Sequence, residues 1–429
     1  MQHRIPAAFF RGGTSKGLFL RSRTLAPYPA SVQDDIILAA MGSPDPDGRQ
    51  IDGLGGGISS LSKVAVAGSV GEGGHAKEGK WDVEYRFGQV EVKKKAVDWS
   101  TTCGNLVAAV GHYAIDERLI SPYTLSHLAS QHNNVIPVRI LAANTGATMI
   151  ARVPIERCER TGEIFAATEG NTRISGVPGT AAGVHIEFVE PSGGEGVLPT
   201  GNVRDVVRLD DGLEVEVSII DAGLPAVFVR SSSLPVPPST FMDSPAAIDA
   251  NKSVMDMLSS IRTAAGHLTP GLQKLYSPSA PKIAVVGPAT PYTTTSSSHV
   301  VSHEMDIFAR AVSVGNIHRT FPATVLMAAG AGAGIKGTVL EGCLQRGLKE
   351  DVHGIKWLRV GHPAGVAEAG ARIRNTSRCV LESVVMTRTA RRLMVTAFDV
   401  RLKESRSGSL IFNVMIQDGH VLVPRATIP

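Results

Sequence analysis

A chain of 429 residues, 43% hydrophobic and 19% charged, is long enough for two cores. Its formal charge of +4 and its 5% aromatic residues argue against a nucleic-acid binder built on phosphate contacts or base stacking. No run approaches the ~18 uninterrupted apolar residues of a membrane span, the four cysteines show neither metal nor disulfide spacing, and the N-terminus lacks a signal-peptide core. The expectation is a cytoplasmic protein with reduced thiols.

In chain order, Ile5 to Phe10 and Gly17 to Leu20 read as strands flanking Arg11-Gly12-Gly13-Thr14-Ser15-Lys16, which is too glycine-rich for helix. Val32 to Met41 is a helix ending at Gly42. Ile58 to Val66 is apolar and follows the loop Asp52-Gly53-Leu54-Gly55-Gly56-Gly57. Alternation in Trp81 to Phe87 and in Val90 to Lys93 predicts two strands joined near Gly88. Ser100-Thr101-Thr102-Cys103-Gly104-Asn105 reads as a polar cap and a thiol opening an apolar helix. Val135 to Leu141, Ala147 to Val153 and Val184 to Val189 are further strands. A Pro/Gly cluster from Pro191 to Gly196 marks a boundary, giving lobes 1–190 and 191–429, with the option that part of the C-terminal segment returns to the first lobe.

Beyond that boundary Leu213 to Asp221 and Ala226 to Val229 read as strands, Pro235 to Pro238 as a stiff linker and Ile248 to Arg262 as a helix. Ile283 to Val286 is a buried strand, and Thr293 to Ser298 a hydroxyl-rich loop. His303 to Val314 and His318 to Ala333 read as helices, the second interrupted or started at Pro322. Cys379 to Met386, Arg392 to Val400 and Leu410 to Met415 are strands. Strands in both halves with one long apolar helix in each predict an α+β protein of two similarly built lobes, each wrapping a sheet around a helix.

The glycine loops fit neither the dinucleotide fingerprint nor the phosphate loop. They place backbone N–H groups beside Arg11, Lys16, Ser59, Ser60 and Lys63, an arrangement suited to carboxylates. Lys63 lies in an apolar stretch, where it is either a lysine snorkelling out of a half-buried element or a desolvated amine suited to proton transfer. Cys103 is either a buried structural cysteine or a thiol whose anion the helix N-terminus favours. His299, in a serine-rich turn, could bind an anion. The histidines lack metal-ligand spacing and there is no Gly-x-Ser-x-Gly elbow, so neither zinc nor triad chemistry is expected.

Phe10-Arg11-Gly12-Gly13-Thr14-Ser15-Lys16-Gly17 resembles the opening signature of the PrpF family, proteins related to methylaconitate isomerase, aconitate isomerase, methylitaconate isomerase and oxalomesaconate tautomerase. The resemblance continues through Asp52 to Lys63, Cys103-Gly104-Asn105, Gly176 to Thr180, Leu198 to Gly201, Asp221-Ala222-Gly223, Gly361-His362-Pro363 and Thr387 to Met394. It implies a diaminopimelate-epimerase-like fold of two pseudo-symmetric lobes, each a curved mixed sheet around a central helix, with the active site in the cleft between them. It also implies that Lys63 and Cys103 are catalytic and that Ser15, Lys16, Ser60 and Asn105 match or adjoin substrate-binding loops. Epimerases of this fold place a cysteine on each lobe, whereas Gly315-Asn316-Ile317-His318 holds no thiol here, which favours the isomerase branch.

The expected function is a cofactor-independent isomerase, requiring no metal, that shifts the double bond or the cis/trans geometry of an unsaturated tricarboxylate, with aconitate or methylaconitate leading. An oxalomesaconate-type tautomerase, a methylitaconate-type isomerase and a non-catalytic carboxylate-binding protein are the alternatives. The expected partner is the small carboxylate alone, with no nucleic acid or membrane and with a homodimer as the assembly entertained.

Overall fold

The computed structural model describes residues 2–72, 80–100, 102–192, 196–277, 280–313, 315–352, 354–375 and 379–401. The expected strand Leu410 to Met415 lies outside them. The chain divides into two units. The first comprises Met1–Arg173, Gly179–Ile186 and the chain from Arg388 onward; the second comprises Ile174–Pro178 and Glu187–Thr387.

In the first unit, β1 (Gln2–Gly12) and β2 (Ser15–Arg21) form a hairpin closed by Gly13-Thr14. The helix α1 (Ala30–Met41) follows and ends at Gly42 in a left-handed conformation, φ 71°. Then come β3 (Lys63–Ser69), parallel to β2 with Gly17 opposite Lys63, and β4 (Val83–Val90), antiparallel with Gln89 opposite Lys63. The helix α2 (Val107–Asp116) leads to the antiparallel pair β5 (Val135–Ala142) and β6 (Thr148–Arg157), β5 lying parallel to β4. Strand alternation sorts the side chains. Leu18, Leu20, Val64 and Val66 join Ile36 and Ile37 of α1 in one core, while Phe19 faces Tyr113 of α2 with ring centroids 5.4 Å apart.

The second unit repeats the plan. Strands β7 (Glu214–Asp221) and β8 (Pro225–Arg230) are antiparallel. The helix α3 (Lys252–Gly266) precedes β9 (Lys282–Pro288), which is parallel to β8, and β10 (Ile307–Ser313), antiparallel to β9. The helix α4 (Ala323–Gly334) is buried from Val325 to Ala333. It is followed by β11 (Lys356–His362), β12 (Gly365–Asn375) and β13 (Cys379–Arg401), of which the part from Arg388 onward belongs to the first unit. The expected α+β class is the class observed.

Several local expectations are corrected. The sequence 83–90 is one strand rather than half of a hairpin turning at Gly88. A Cβ there would press on Val64 and Val97, so this glycine answers to close packing and not to a turn. His303 to Val314 holds a strand, because a strand covered on both faces shows the continuous apolar run of a buried helix. Ile248 to Arg262 is broken at Asn251, whose side chain caps α3 by accepting from the Val254 N–H. The two strands expected over 379–400 are one strand of 23 residues, since Thr387 to Arg391 contains neither Gly nor Pro to break it. No helix among the described residues is long and apolar enough to cross a membrane.

Candidate active site

The β1–β2 turn is the platform. Gly13 has φ +52° and donates its N–H to Thr389 O at 2.9 Å, fastening the turn to β13. Arg11 strengthens that fastening: its Nη1 donates to Gly13 O (3.0 Å), Thr389 O (2.9 Å) and Thr389 Oγ1 (3.0 Å). The chain around Asn105 and Leu106 packs on Gly12 so closely that a Cβ there would lie 2.9 Å from Leu106 Cα.

Lys63 is 8% exposed. Its Nζ donates to Gln89 Oε1 at 2.6 Å and stands 5.0 Å from the centre of the Phe87 ring. No carboxylate among the described residues pairs with it. A snorkelling lysine would carry its head group into water; this one is held by Gln89 beside the Phe87 ring.

Cys103, half-buried, stands where the chain turns into α2, and its carbonyl accepts from the N–H of Leu106 (3.1 Å) and of Val107 (3.3 Å). The expected polar cap is absent as such. The residue at the cap is Leu106, with no side-chain hydrogen bond, and the Thr102 hydroxyl is bonded to that of Tyr85 instead; Thr101 lies outside the described residues. Tyr85, Phe87 and Gln89 alternate on one face of β4, so the strand that holds Lys63 at one end touches the Cys103 turn at the other. That face is also the α2 face, because Lys63 and Gly17 lie opposite each other on the side of Phe19.

Asn105 ties this turn to two other segments. Its Nδ2 donates to Thr14 Oγ1 at 3.2 Å, and its Oδ1 accepts from Arg388 Nε at 2.9 Å. Arg388 is a buried cation beside the thiol: burial pulls its guanidinium down to about 10, and the charge of Cys103 opposes that fall. It is not among the candidate site residues that the sequence singles out. The available signal was a charged residue amid small, buried positions of a strand, but Arg391 and Arg392 stand close by and the pattern does not choose among them.

Ser15 is buried on the Gly17 side of the hairpin. The Lys16 side chain is directed to the other side, with Nζ 6.0 Å from the Phe9 ring, while its N–H donates to Ser60 O at 2.9 Å. The glycine loop departs from the expected anion nest. Its amides bond within the protein: Gly53 to Gln50 O, Leu54 to Ala40 O, Gly55 to Met41 O and Gly57 to Gln50 Oε1. The amides of Ser59 and Ser60, just beyond, have no partner among the described residues. Thus Lys63, Cys103, Ser15, Ser59, Ser60 and Asn105 are carried by segments that interlock within the first unit. His299 belongs to the second unit, exposed, in a two-strand ladder opposite Thr293.

The family of PrpF proteins matches residues 2–401. The chain belongs to the PrpF family. A 2-methyl-aconitate isomerase of Shewanella oneidensis is 36% identical over 92% of this chain and 96% of its own length, and a 3-methylitaconate isomerase of Eubacterium barkeri is 33% identical over the same shares. Among solved structures, a methylitaconate-delta-isomerase superposes with a TM-score of 0.76 at 32% identity, covering 93% of this chain and 96% of that one. The family expected from the motifs is therefore the family found, and isomerase is the class of activity it brings.

Proposed function

We propose that this chain interconverts isomers of an unsaturated di- or tricarboxylate, aconitate or its methyl homologue, by moving one proton between allylic carbons. The C–H bond of a CH₂ beside the double bond breaks, its electron pair delocalises through the alkene into a carboxylate, and a proton returns at another carbon. Composition is unchanged, and no oxidant, reductant or cofactor enters the balance. Lys63 and Cys103 exchange the proton, general acid–base transfer being worth about 10²–10⁴-fold. Arg388 and the amides of Ser59 and Ser60 favour the added negative charge of the carbanion. The observation that carries this reading is Lys63: a buried amine with a neutral partner, on the same sheet face as the Cys103 turn. A binding protein needs no such pair. The names of the relatives support the substrate class. We take the enzyme to be cytoplasmic and to act as a homodimer.

Proton NMR of cis- and trans-aconitate and of 2-methylaconitate in heavy water tests the reading. Deuterium should enter the allylic positions with the wild-type protein and be lost in Lys63→Ala and Cys103→Ser, while carboxylate binding persists. Binding without any exchange in the wild type, or exchange undiminished in both variants, would overturn it.

A further inference from the structure

Lys63 is held by a carboxamide. Gln89 accepts from Nζ through Oε1 at 2.6 Å and donates through Nε2 to Ser62 O (2.9 Å) and Ser59 O (3.1 Å). The amide orientation follows from that network. Turned over, it would set Oε1 against two carbonyl oxygens and its NH₂ against the amine hydrogens, and all three bonds would be lost. One planar group therefore aims the amine and braces the loop that presents the Ser59 and Ser60 amides.

The chemistry of the group matters as much as its geometry. The ordinary companion of a buried lysine is a carboxylate, which pairs with the ammonium and favours its charged form. A carboxylate opposite Lys63 would also face the Ser59 and Ser62 carbonyl oxygens with no hydrogen to offer them. Glutamine satisfies both sides: it fixes Nζ without an opposing charge and still donates to the loop.

We propose that Gln89 is the positioning residue of the proton transfer, aligning the Lys63 amine with the Ser59–Ser60 loop through a neutral carboxamide. This rests on Lys63 being the proton-transfer group. Displacement of an acid–base group by about 1 Å costs up to about 100-fold, so Gln89→Leu should lower kcat by about 30–100-fold and raise KM by less than about fivefold. Gln89→Glu should move the pH–rate limb that reports the amine upward by at least about one unit. A residue that only braced the loop would change KM or stability and leave that limb in place.

A second measurement does not depend on turnover. Trace acetylation of the intact protein across pH, read by mass spectrometry at the Lys63 peptide, should show the labelling midpoint at least about one unit higher in Gln89→Glu than in wild type. Circular dichroism controls for folding, and Gln89→Met replaces the leucine variant if that variant does not fold. Equal labelling midpoints in the wild type and in Gln89→Glu, or a wild-type kcat in the apolar variant, overturn the proposal. Full activity in Lys63→Ala instead removes the reading of Lys63, a result that the labelling experiment distinguishes.

Discussion

The two central helices are alike in burial and unlike at their entrances. Helix α2 is buried from Val107 to Ile115 and α4 from Val325 to Ala333. The chain enters α2 through Cys103, Gly104 and Asn105, with Arg388 bonded to the asparagine. It enters α4 through Phe321 and Pro322. There the phenyl ring stacks on His362 with centroids 6.4 Å apart, and His318 Nδ1 accepts from the Thr320 N–H at 3.2 Å. The second unit holds two thiols: Cys379, half-buried at the start of β13, and Cys343, which is 1% exposed and whose thiol burial pushes up to about 11 against the pull of Arg230 and Arg204. The shared plan is the fold's way of burying a helix in a sheet. The groups proposed to move the proton, Lys63 and Cys103, occupy one copy of it.

Substituting Cys103 and Cys343 tests that asymmetry most severely. Cys103→Ala should lower isomerase activity by at least about 10³-fold with little change in stability, the upper part of the range for loss of an acid–base group. Cys343→Ala should leave activity within about twofold and cost roughly 1–2 kcal/mol of unfolding free energy, because it opens a small cavity in a sealed core. Activity assays and urea titrations on the two variants decide. An active Cys103→Ala enzyme would mean that the first entrance is no more chemical than the second.

A glycine in each unit sharpens the same contrast. A Cβ on Gly13 would meet Asn105 Cγ at 2.9 Å and Arg388 Cδ at 3.1 Å, in a backbone already at φ +52°. A Cβ on Gly332 of α4 would meet Leu340 and, at 3.0 Å, Ile220. Both alanine variants should lose about 2–3 kcal/mol of stability through overpacking, with left-handed strain added at Gly13. Only Gly13→Ala should also lose activity, by about tenfold or more, because a displacement there reaches Asn105 and Arg388. Thermal melts alongside initial rates separate the two effects. Equal activity losses would show that Gly13 matters only for packing.

Much of this was legible in the sequence, and the failures share a cause. Lys63 and Cys103 each read two ways from the residues alone, and it is the resemblance to the PrpF family that singles them out. The motif around Arg11 to Gly17 marked a real turn. What one dimension does not carry is the destination of a backbone hydrogen bond. The loop Gly53 to Gly57 resembles an anion nest until its amides are traced to Ala40, Met41 and Gln50. Arg388, hundreds of residues from Asn105, becomes part of the candidate site only through strand pairing, as β13 returns beside β1 with Gly12 opposite Ala390. Gln89 falls in the connection expected near Gly88, and only the structure places it on β4, across the ladder from Lys63. Buried strands such as β10 fail for a different reason, since they lose the period of two that exposes a strand's two faces.

The smallest expected difference between the units concerns protons. Burial holds His112 of α2 down at about 4, with Arg11 and Arg392 acting in the same direction, and its Nε2 has no hydrogen-bond partner among the described residues. Helix α4, Ala323–Gly334, contains no titratable side chain. The unfolded chain binds a proton at His112 near pH 6.5 and the folded chain only near pH 4, so between those values unfolding takes up protons and stability falls as pH falls. At pH 5.5 the loss relative to pH 7.5 should be about 1 kcal/mol. His112→Phe, which keeps a ring in the core and removes the titration, should flatten that part of the stability curve while leaving the rest of it parallel to wild type. Guanidinium titrations at half-unit pH intervals measure the slope. An unchanged slope in the variant would assign the acid sensitivity to other groups, His318 among them, whose own proton affinity burial also lowers.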